Sequence, residues 1–205
     1  MIDVGIIDSG LGNFRSVAGA VSKVGYTSVI SDDPDLLRNA DRLILPGVGA
    51  FGDGMRNLQE RNLVGVLQEL VIDQGKPILG ICLGLQLFAR EGEEFGRTKG
   101  LGWIDASVKR LNPDGGLRVP HVGWNDLTHV REWTLYADIP EGALFYYTHS
   151  FFISVEEPGV VTGTCDYGGE FVASFQKGNI YATQFHPEKS QRYGLQMLEN
   201  FLSRT

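Results

Sequence analysis

Short apolar runs alternate with amphipathic stretches through the first half of the chain. Residues 2–8 form an apolar run that ends in Ser9-Gly10-Leu11-Gly12-Asn13, the mark of a strand meeting a turn. Apolar positions at helical spacing follow over 13–24, and an extended stretch over 27–31. Residues 41–46 read as a buried strand, 63–74 as a helix closed by Gly75, 77–82 as a further strand, and 83–90 as a helix directly behind it. Strands and helices in this alternation predict a largely parallel sheet with helices on both faces.

The pattern changes after residue 104. β-Branched and aromatic residues dominate 107–111, 123–130, 143–155, 160–164, 171–176 and 179–185, and glycine-rich breaks separate them. A last amphipathic stretch, 193–203, closes the chain as a helix. No linker and no internal repeat interrupts this order. Residues 1–205 therefore read as a single α/β domain: a doubly wound, largely parallel sheet that gains antiparallel strands in its second half.

Composition narrows the function classes. A chain of 205 residues can bury a real core, and a net charge of −7 without a basic run argues against nucleic acid as a partner. Its two cysteines, Cys82 and Cys165, are too few for a disulfide scaffold, and none pairs with histidine at zinc-ligand spacing, so no metal is expected. The first residues lack the basic stretch of a signal peptide, and no apolar run approaches the roughly 18 residues of a membrane helix. The expectation is a cytoplasmic protein. Gly10-Leu11-Gly12 opens like a dinucleotide fingerprint, but Arg15 occupies the third glycine position and no phosphate-binding P-loop motif occurs, so no cofactor is expected.

The sharpest local feature is Gly80-Ile81-Cys82-Leu83-Gly84, between the 77–82 strand and the helix behind it. A nucleophile between two glycines at a strand-to-helix turn forms an elbow, where the glycines let strand and helix approach without Cβ clashes. A cysteine there meets the positive end of the helix, which favours thiolate, and the Leu83 N–H can receive an oxyanion. The bland alternative is a small buried core cysteine.

Four histidines compete for the base: His121, His129, His149 and His186. His186 stands out in Gln184-Phe185-His186-Pro187-Glu188, just past the 179–185 strand. In an extended chain, residues i and i+2 project to one side, so the Glu188 carboxylate can reach the His186 ring. Carboxyl ends of strands in a doubly wound sheet converge on one crevice, which would bring His186 to Cys82.

Two other features stay open from the residues alone. Pro46-Gly47-Val48-Gly49-Ala50-Phe51, with Gly52 and Gly54 beyond it, reads either as a flexible loop or as a source of backbone N–H groups for an oxyanion hole. The aromatic stretches 145–152 and 120–125 read as core or as site, and Cys165, with no helix behind it, reads as structural. A free-standing cysteine hydrolase and a non-catalytic binding module with a buried Cys82 remain rival functions at this level.

Gly80-Ile81-Cys82-Leu83-Gly84-Leu85-Gln86 taken with Gln184-Phe185-His186-Pro187-Glu188 resembles the class I, triad-type glutamine amidotransferases. Within that family, the stretches 10–16, 46–51, 120–125 and 186–190 are similar to the glutaminase subunits of imidazole glycerol phosphate synthase, over essentially the whole chain. The resemblance implies a flavodoxin-like sheet and a triad of Cys82, His186 and Glu188. It further implies an oxyanion loop at Gly47, Val48 and Gly49, joined by Leu83. Gln86, His149, Ser150 and Phe151 match positions that hold the ends of L-glutamine. The implied partner is a (βα)8-barrel cyclase in a heterodimer, faced by Asn13, Trp124, Tyr146 and Lys189.

Overall fold

The computed structural model describes residues 2–205. Strand β1 (Ile2–Ile7) leads through α1 (Phe14–Lys23) to β2 (Ser28–Ser31), and α2 (Pro34–Arg38) joins that strand to β3 (Ala40–Gly47). Helices α3 (Phe51–Glu60) and α4 (Leu63–Leu67), the latter prolonged by a π-helical stretch Gln68–Asp73, precede β4 (Ile78–Cys82) and α5 (Leu83–Leu87). The second half begins with β5 (Ala89–Gly92), β6 (Thr98–Lys99), β7 (Ile104–Arg110), β8 (His121–Asp126) and β9 (Thr128–His129). After a 3-10 turn at Thr134–Tyr136 come β10 (Leu144–His149), β11 (Phe151–Val155), β12 (Val161–Asp166), β13 (Glu170–Lys177) and β14 (Ile180–Thr183). A second 3-10 turn, Pro187–Lys189, leads into α6 (Gln191–Arg204).

The main sheet runs β2-β1-β3-β4-β14-β13-β12-β9. Its first five strands are parallel, in the order of a flavodoxin-like doubly wound sheet. The antiparallel extension expected in the second half consists of β13, β12 and β9. β14 departs from that expectation: it lies parallel to β4, with Ile180 opposite Ile78 and Thr183 opposite Ile81. That insertion matters for function because it sets the end of β14 beside the end of β4.

Alternation along the central strands divides the core into two. Val4, Ile6, Ile44, Leu79 and Ile81 face α1 and α6, packing with Val17, Val21, Met197, Leu198 and Phe201. Ile7, Leu43, Leu45 and Ile78 face the other way, against Met55, Leu58, Leu63 and Leu67 of α3 and α4. A strand buried on both faces has no polar side to show, so β3 and β4 read as continuous apolar runs.

Several boundaries differ from expectation. The glycine-rich 46–54 stretch is not a loop throughout, since β3 extends to Gly47 and α3 starts at Phe51, leaving only 48–50 between them. The α3 N-terminus is closed from outside its own sequence, because the Glu94 carboxylate accepts the Phe51 N–H at 2.8 Å. Helix α5 ends at Leu87 rather than at 90, as Ala89 pairs with Ile104 in a second sheet, ordered β11-β7-β5-β6. The short α2 escaped the periodicity reading, although Asp33 caps it by accepting the Asp35 N–H at 2.8 Å. The single stretch 143–155 breaks at Ser150 into β10, which pairs with β8, and β11, which pairs with β7. Among the described residues, no helix is long and apolar enough to cross a membrane.

Candidate active site

Cys82 ends β4 with φ 55° and ψ −106°, a backbone conformation that L residues rarely hold. The glycines around it make that turn sterically possible. A Cβ on Gly80 would press on the Phe88 ring and come within 2.9 Å of the Gly84 backbone, and a Cβ on Gly84 would overlap the Leu45 carbonyl. Gly47, opposite Cys82 on β3, leaves room for Leu83, whose Cβ lies 2.9 Å from where a side chain would begin. The expected elbow is present, and Gly47 serves it by its lack of a side chain.

The histidine selected from the sequence stands next to this cysteine. His186 Nδ1 lies 2.8 Å from Glu188 Oε1, with both side chains closed to solvent. The link does not arise from an extended chain. His186 itself is extended, but Glu188 sits in the Pro187–Lys189 3-10 turn, which folds its carboxylate back under the ring. Burial pulls the imidazole pKa down, yet the Cys82 side chain, by charge and hydrogen bonding, and the Glu188 carboxylate outweigh it and push it up to about 9. That upward shift favours the imidazolium form of His186 at neutral pH. Its Nε2 is buried without a well-formed hydrogen bond, free for a reacting group. The other cysteine is inert by comparison, because burial drives the Cys165 thiol up to about 12.

A cavity of about 450 Å³ opens over Cys82. Val48, Gly49, Leu83, Gln86, His149, Ser150 and Phe151 all line it, so the positions expected to hold a ligand meet here, Gly47 alone lying outside the lining. Two residues that the sequence reading missed, Glu94 and Phe95, line it too, as does Thr148 of the 145–152 stretch. Glu94 is the one carboxylate in the lining, and Phe95 is an almost fully exposed aromatic at φ 55°. Both lie on the turn between β5 and β6; β5 begins inside the stretch that read as a helix to 90, and β6 falls where no element was expected.

The remaining histidines divide clearly. His149 faces the cavity, and its Nδ1 lies 2.9 Å from the Phe151 carbonyl. His121 stands behind it, with Nδ1 3.1 Å from His149 Nε2, its ring stacked on Tyr167 at 3.9 Å. His129 is elsewhere, 3.3 Å from Glu141.

The backbone near the expected oxyanion hole is partly engaged. Val48 donates its N–H to the Leu11 carbonyl at 3.2 Å, so that donor turns away from the cavity. Gly49 follows at φ 107°, in the region that glycine tolerates and where peptide planes reorient at low cost.

Three of the four residues expected to face a partner form one cluster. Trp124 is exposed, its ring 6.0 Å from Tyr146 across the β8–β10 pair, and Lys189 Nζ lies 5.8 Å over the Tyr146 ring. Exposed Asn13 precedes α1, which packs on the same 3-10 turn that carries Lys189. The cluster is tied to the triad: His186 donates its N–H to the Tyr146 carbonyl at 2.9 Å, and Ser190 Oγ accepts the Tyr146 N–H at 2.9 Å. The aromatic stretches divide, since Phe145 and Tyr147 point into the core while Trp124 lies on the surface.

Comparison with known proteins agrees with this geometry. Residues 5–205 match the family model described as glutamine amidotransferase class-I. The chain is 48% identical over 201 residues to the imidazole glycerol phosphate synthase subunit HisH of Moorella thermoacetica, covering 98% of this chain and 94% of that one. It is 47% identical to the HisH subunit of Aquifex aeolicus, covering 96% and 94%. Among solved structures, PurLQS from Thermotoga maritima superposes with a TM-score of 0.75 at 18% identity over 98% of this chain and 97% of that one. A glutamine amidotransferase of the same organism superposes with a TM-score of 0.65 at 18% identity, over 91% and 76%. The structural likenesses establish the fold, and the sequence match, running nearly end to end through the elbow and the histidine–glutamate pair, shows that this chain belongs to the class I glutamine amidotransferases.

Proposed function

We propose that the chain is the glutaminase subunit of an imidazole glycerol phosphate synthase, releasing ammonia from L-glutamine for a cyclase partner in histidine biosynthesis. The observation that carries the catalytic part is the convergence of Cys82, at the end of β4, with the His186–Glu188 pair, just past the end of the adjacent parallel strand β14, beside one cavity. The relatives are subunits of imidazole glycerol phosphate synthase, which supports the synthase assignment and a partner subunit.

Glutamine enters with its side-chain amide over Cys82. Glu94, the lone carboxylate of the lining, suits the α-ammonium group, while the 149–151 segment and Gln86 hold the other polar groups of the amino acid end. The Cys82 thiolate attacks the amide carbon, and the C=O electron pair moves onto oxygen. That oxyanion is received by the Leu83 N–H and by an N–H of the Val48–Gly49 segment, once the peptide leaves Leu11 and turns inward. The tetrahedral intermediate collapses as the His186 imidazolium gives its Nε2 proton to the leaving nitrogen, so the C–N bond breaks and ammonia departs. The neutral imidazole then takes a proton from water, whose oxygen attacks the thioester. Glutamate leaves and the thiolate–imidazolium pair returns. Glu188 holds the ring through Nδ1 throughout and stabilises its charge.

Free ammonia at neutral pH is mostly protonated and non-nucleophilic, so its use requires direct transfer. Trp124, Tyr146 and Lys189, with exposed Val122 and Leu144 on the same strand pair, offer a partly apolar surface for docking. In this reading it seats a (βα)8-barrel cyclase, to form a heterodimer.

The test is glutamate release by the purified chain, with and without a cyclase barrel carrying its nucleotide ligand. Strong stimulation by the liganded barrel is expected. Equal activity without the barrel would instead describe an independent amidohydrolase.

A further inference from the structure

Gln184 lies immediately after β14 and is completely buried. Its side-chain amide sits between two residues of the site: Gln184 Oε1 is 3.1 Å from Gln86 Nε2, and Gln184 Nε2 is 3.7 Å from Cys82 Sγ. A glutamine amide can be turned end for end, so its direction needs an argument. The Phe151 carbonyl supplies it. That oxygen can only accept, so the Gln86 group 2.9 Å from it must be the NH2. The same nitrogen reaches Gln184, whose facing atom must then be the oxygen. The NH2 of Gln184 is left pointing at the sulfur.

Gln86 therefore donates from one nitrogen to both the Phe151 carbonyl and Gln184 Oε1, and Gln184 in turn donates to the Cys82 sulfur. A buried amide donor without a partner is costly, and in this site the sulfur is the partner that satisfies it. A thiolate accepts such a bond far better than a thiol does. The second polar contact of the sulfur, the Thr148 carbonyl at 3.8 Å, can only accept and so suits the protonated thiol.

We infer that Gln184 is a positioning donor to the nucleophile: its side-chain amide, oriented by Gln86, holds the Cys82 sulfur as thiolate and aims it into the glutamine cavity. This role is distinct from the helix end and from His186, which act on the same sulfur from other sides. It also joins the nucleophile to the ligand-lining segment, because Gln86 donates to the Phe151 carbonyl as well as to the Gln184 amide that reaches Cys82.

The inference rests on Cys82 being the glutaminase nucleophile, and the experiment separates the two. The full-length chain is treated with iodoacetamide across a range of pH, and modification is mapped to the Cys82 peptide by mass spectrometry. In Gln184→Met, which keeps the volume and removes the donor, alkylation at neutral pH is expected to slow by about three- to tenfold, with the pH profile displaced upward. An unchanged profile in a folded Gln184→Met protein overturns the inference and leaves the glutaminase reading intact. Failure of iodoacetamide to modify Cys82 in the wild-type chain overturns both. A measurement on the wild-type chain avoids dependence on the variant's folding: the side-chain NH2 resonances of Gln184 must move with pH in step with Cys82 alkylation. Resonances that stay still while Cys82 becomes reactive overturn the donor role.

Discussion

His121 Nδ1 stands 3.1 Å from His149 Nε2, and that bond orders the protons of both rings. The Phe151 carbonyl can only accept, so His149 Nδ1 carries a proton and its Nε2 accepts from His121. A second proton on His149 would have to go on Nε2 and would break this bond, while one on His121 would take the Nε2 that lies 3.4 Å from the Asn125 amide nitrogen. Burial lowers His149 to about 3 and His121 to about 4, against about 6.5 for an unfolded histidine. The unfolded chain therefore binds more protons below that value, and stability falls as pH drops from about 6.5 toward 4. His121→Phe, which keeps a flat ring between the aromatic neighbours, should flatten this acid limb in thermal melts across pH while raising the KM for glutamine more than it lowers kcat. Identical acid limbs in variant and wild type would refute the neutral pair.

His186 works in the opposite direction. Although burial opposes its charge, Cys82 and Glu188 raise it to about 9, so the folded chain binds more protons above about 6.5. Its stabilising contribution is complete below 6.5 and is lost as pH rises through 9. Partner-stimulated glutaminase activity should persist through neutrality and fall above about pH 9, as the acid that protonates the leaving ammonia disappears. Glu188→Gln removes one of the supports and should bring the alkaline fall to lower pH, read from the pH profile of glutamate release.

Gly84→Ala is expected to be severe. The added methyl on α5 would overlap the Leu45 carbonyl of β3, a backbone atom that cannot swing aside as a side-chain end can. A loss of stability of several kcal/mol, seen in denaturant melts, is the expected result. Gly19→Ala on α1 is a useful control, since nothing lies within 4 Å of its new Cβ. That variant should keep or slightly raise stability.

Trp124 offers a test of the partner surface. It is 45% exposed, packs edge-on against Tyr146, and lies beside exposed Val122 and Leu144. Trp124→Ala should weaken association with the cyclase barrel by about tenfold or more, measured by titration calorimetry, because buried tryptophans commonly dominate interfaces. Unchanged affinity would move the interface elsewhere.

Much of this was legible in the sequence, for identifiable reasons. The elbow was readable because its requirements are steric and local: two glycines around a nucleophile, at a change from strand to helix. The His186–Glu188 pair was readable because the two lie two residues apart, even though a 3-10 turn rather than an extended chain unites them. What escaped depends on distant partners. Helix α3 was hidden because glycines at 52 and 54 weaken its pattern, and its N-terminus is closed by Glu94 from another element. Gln184 gave no sign beyond its motif, because its meaning lies in an amide direction set by residues about a hundred and about thirty positions away. The place of β14 could not be read from its apolar run, since parallel or antiparallel pairing depends on where the chain returns to the sheet.

The most direct test of the account compares glutamate release by the wild-type chain and by Cys82→Ala, each saturated with the liganded cyclase barrel. The account predicts that the variant loses turnover by about a thousandfold or more, while a nearly unchanged far-UV spectrum shows the fold retained. Turnover near the wild-type rate in Cys82→Ala would contradict it, since the sulfur, the histidine–glutamate pair and the cavity would then have no shared reaction.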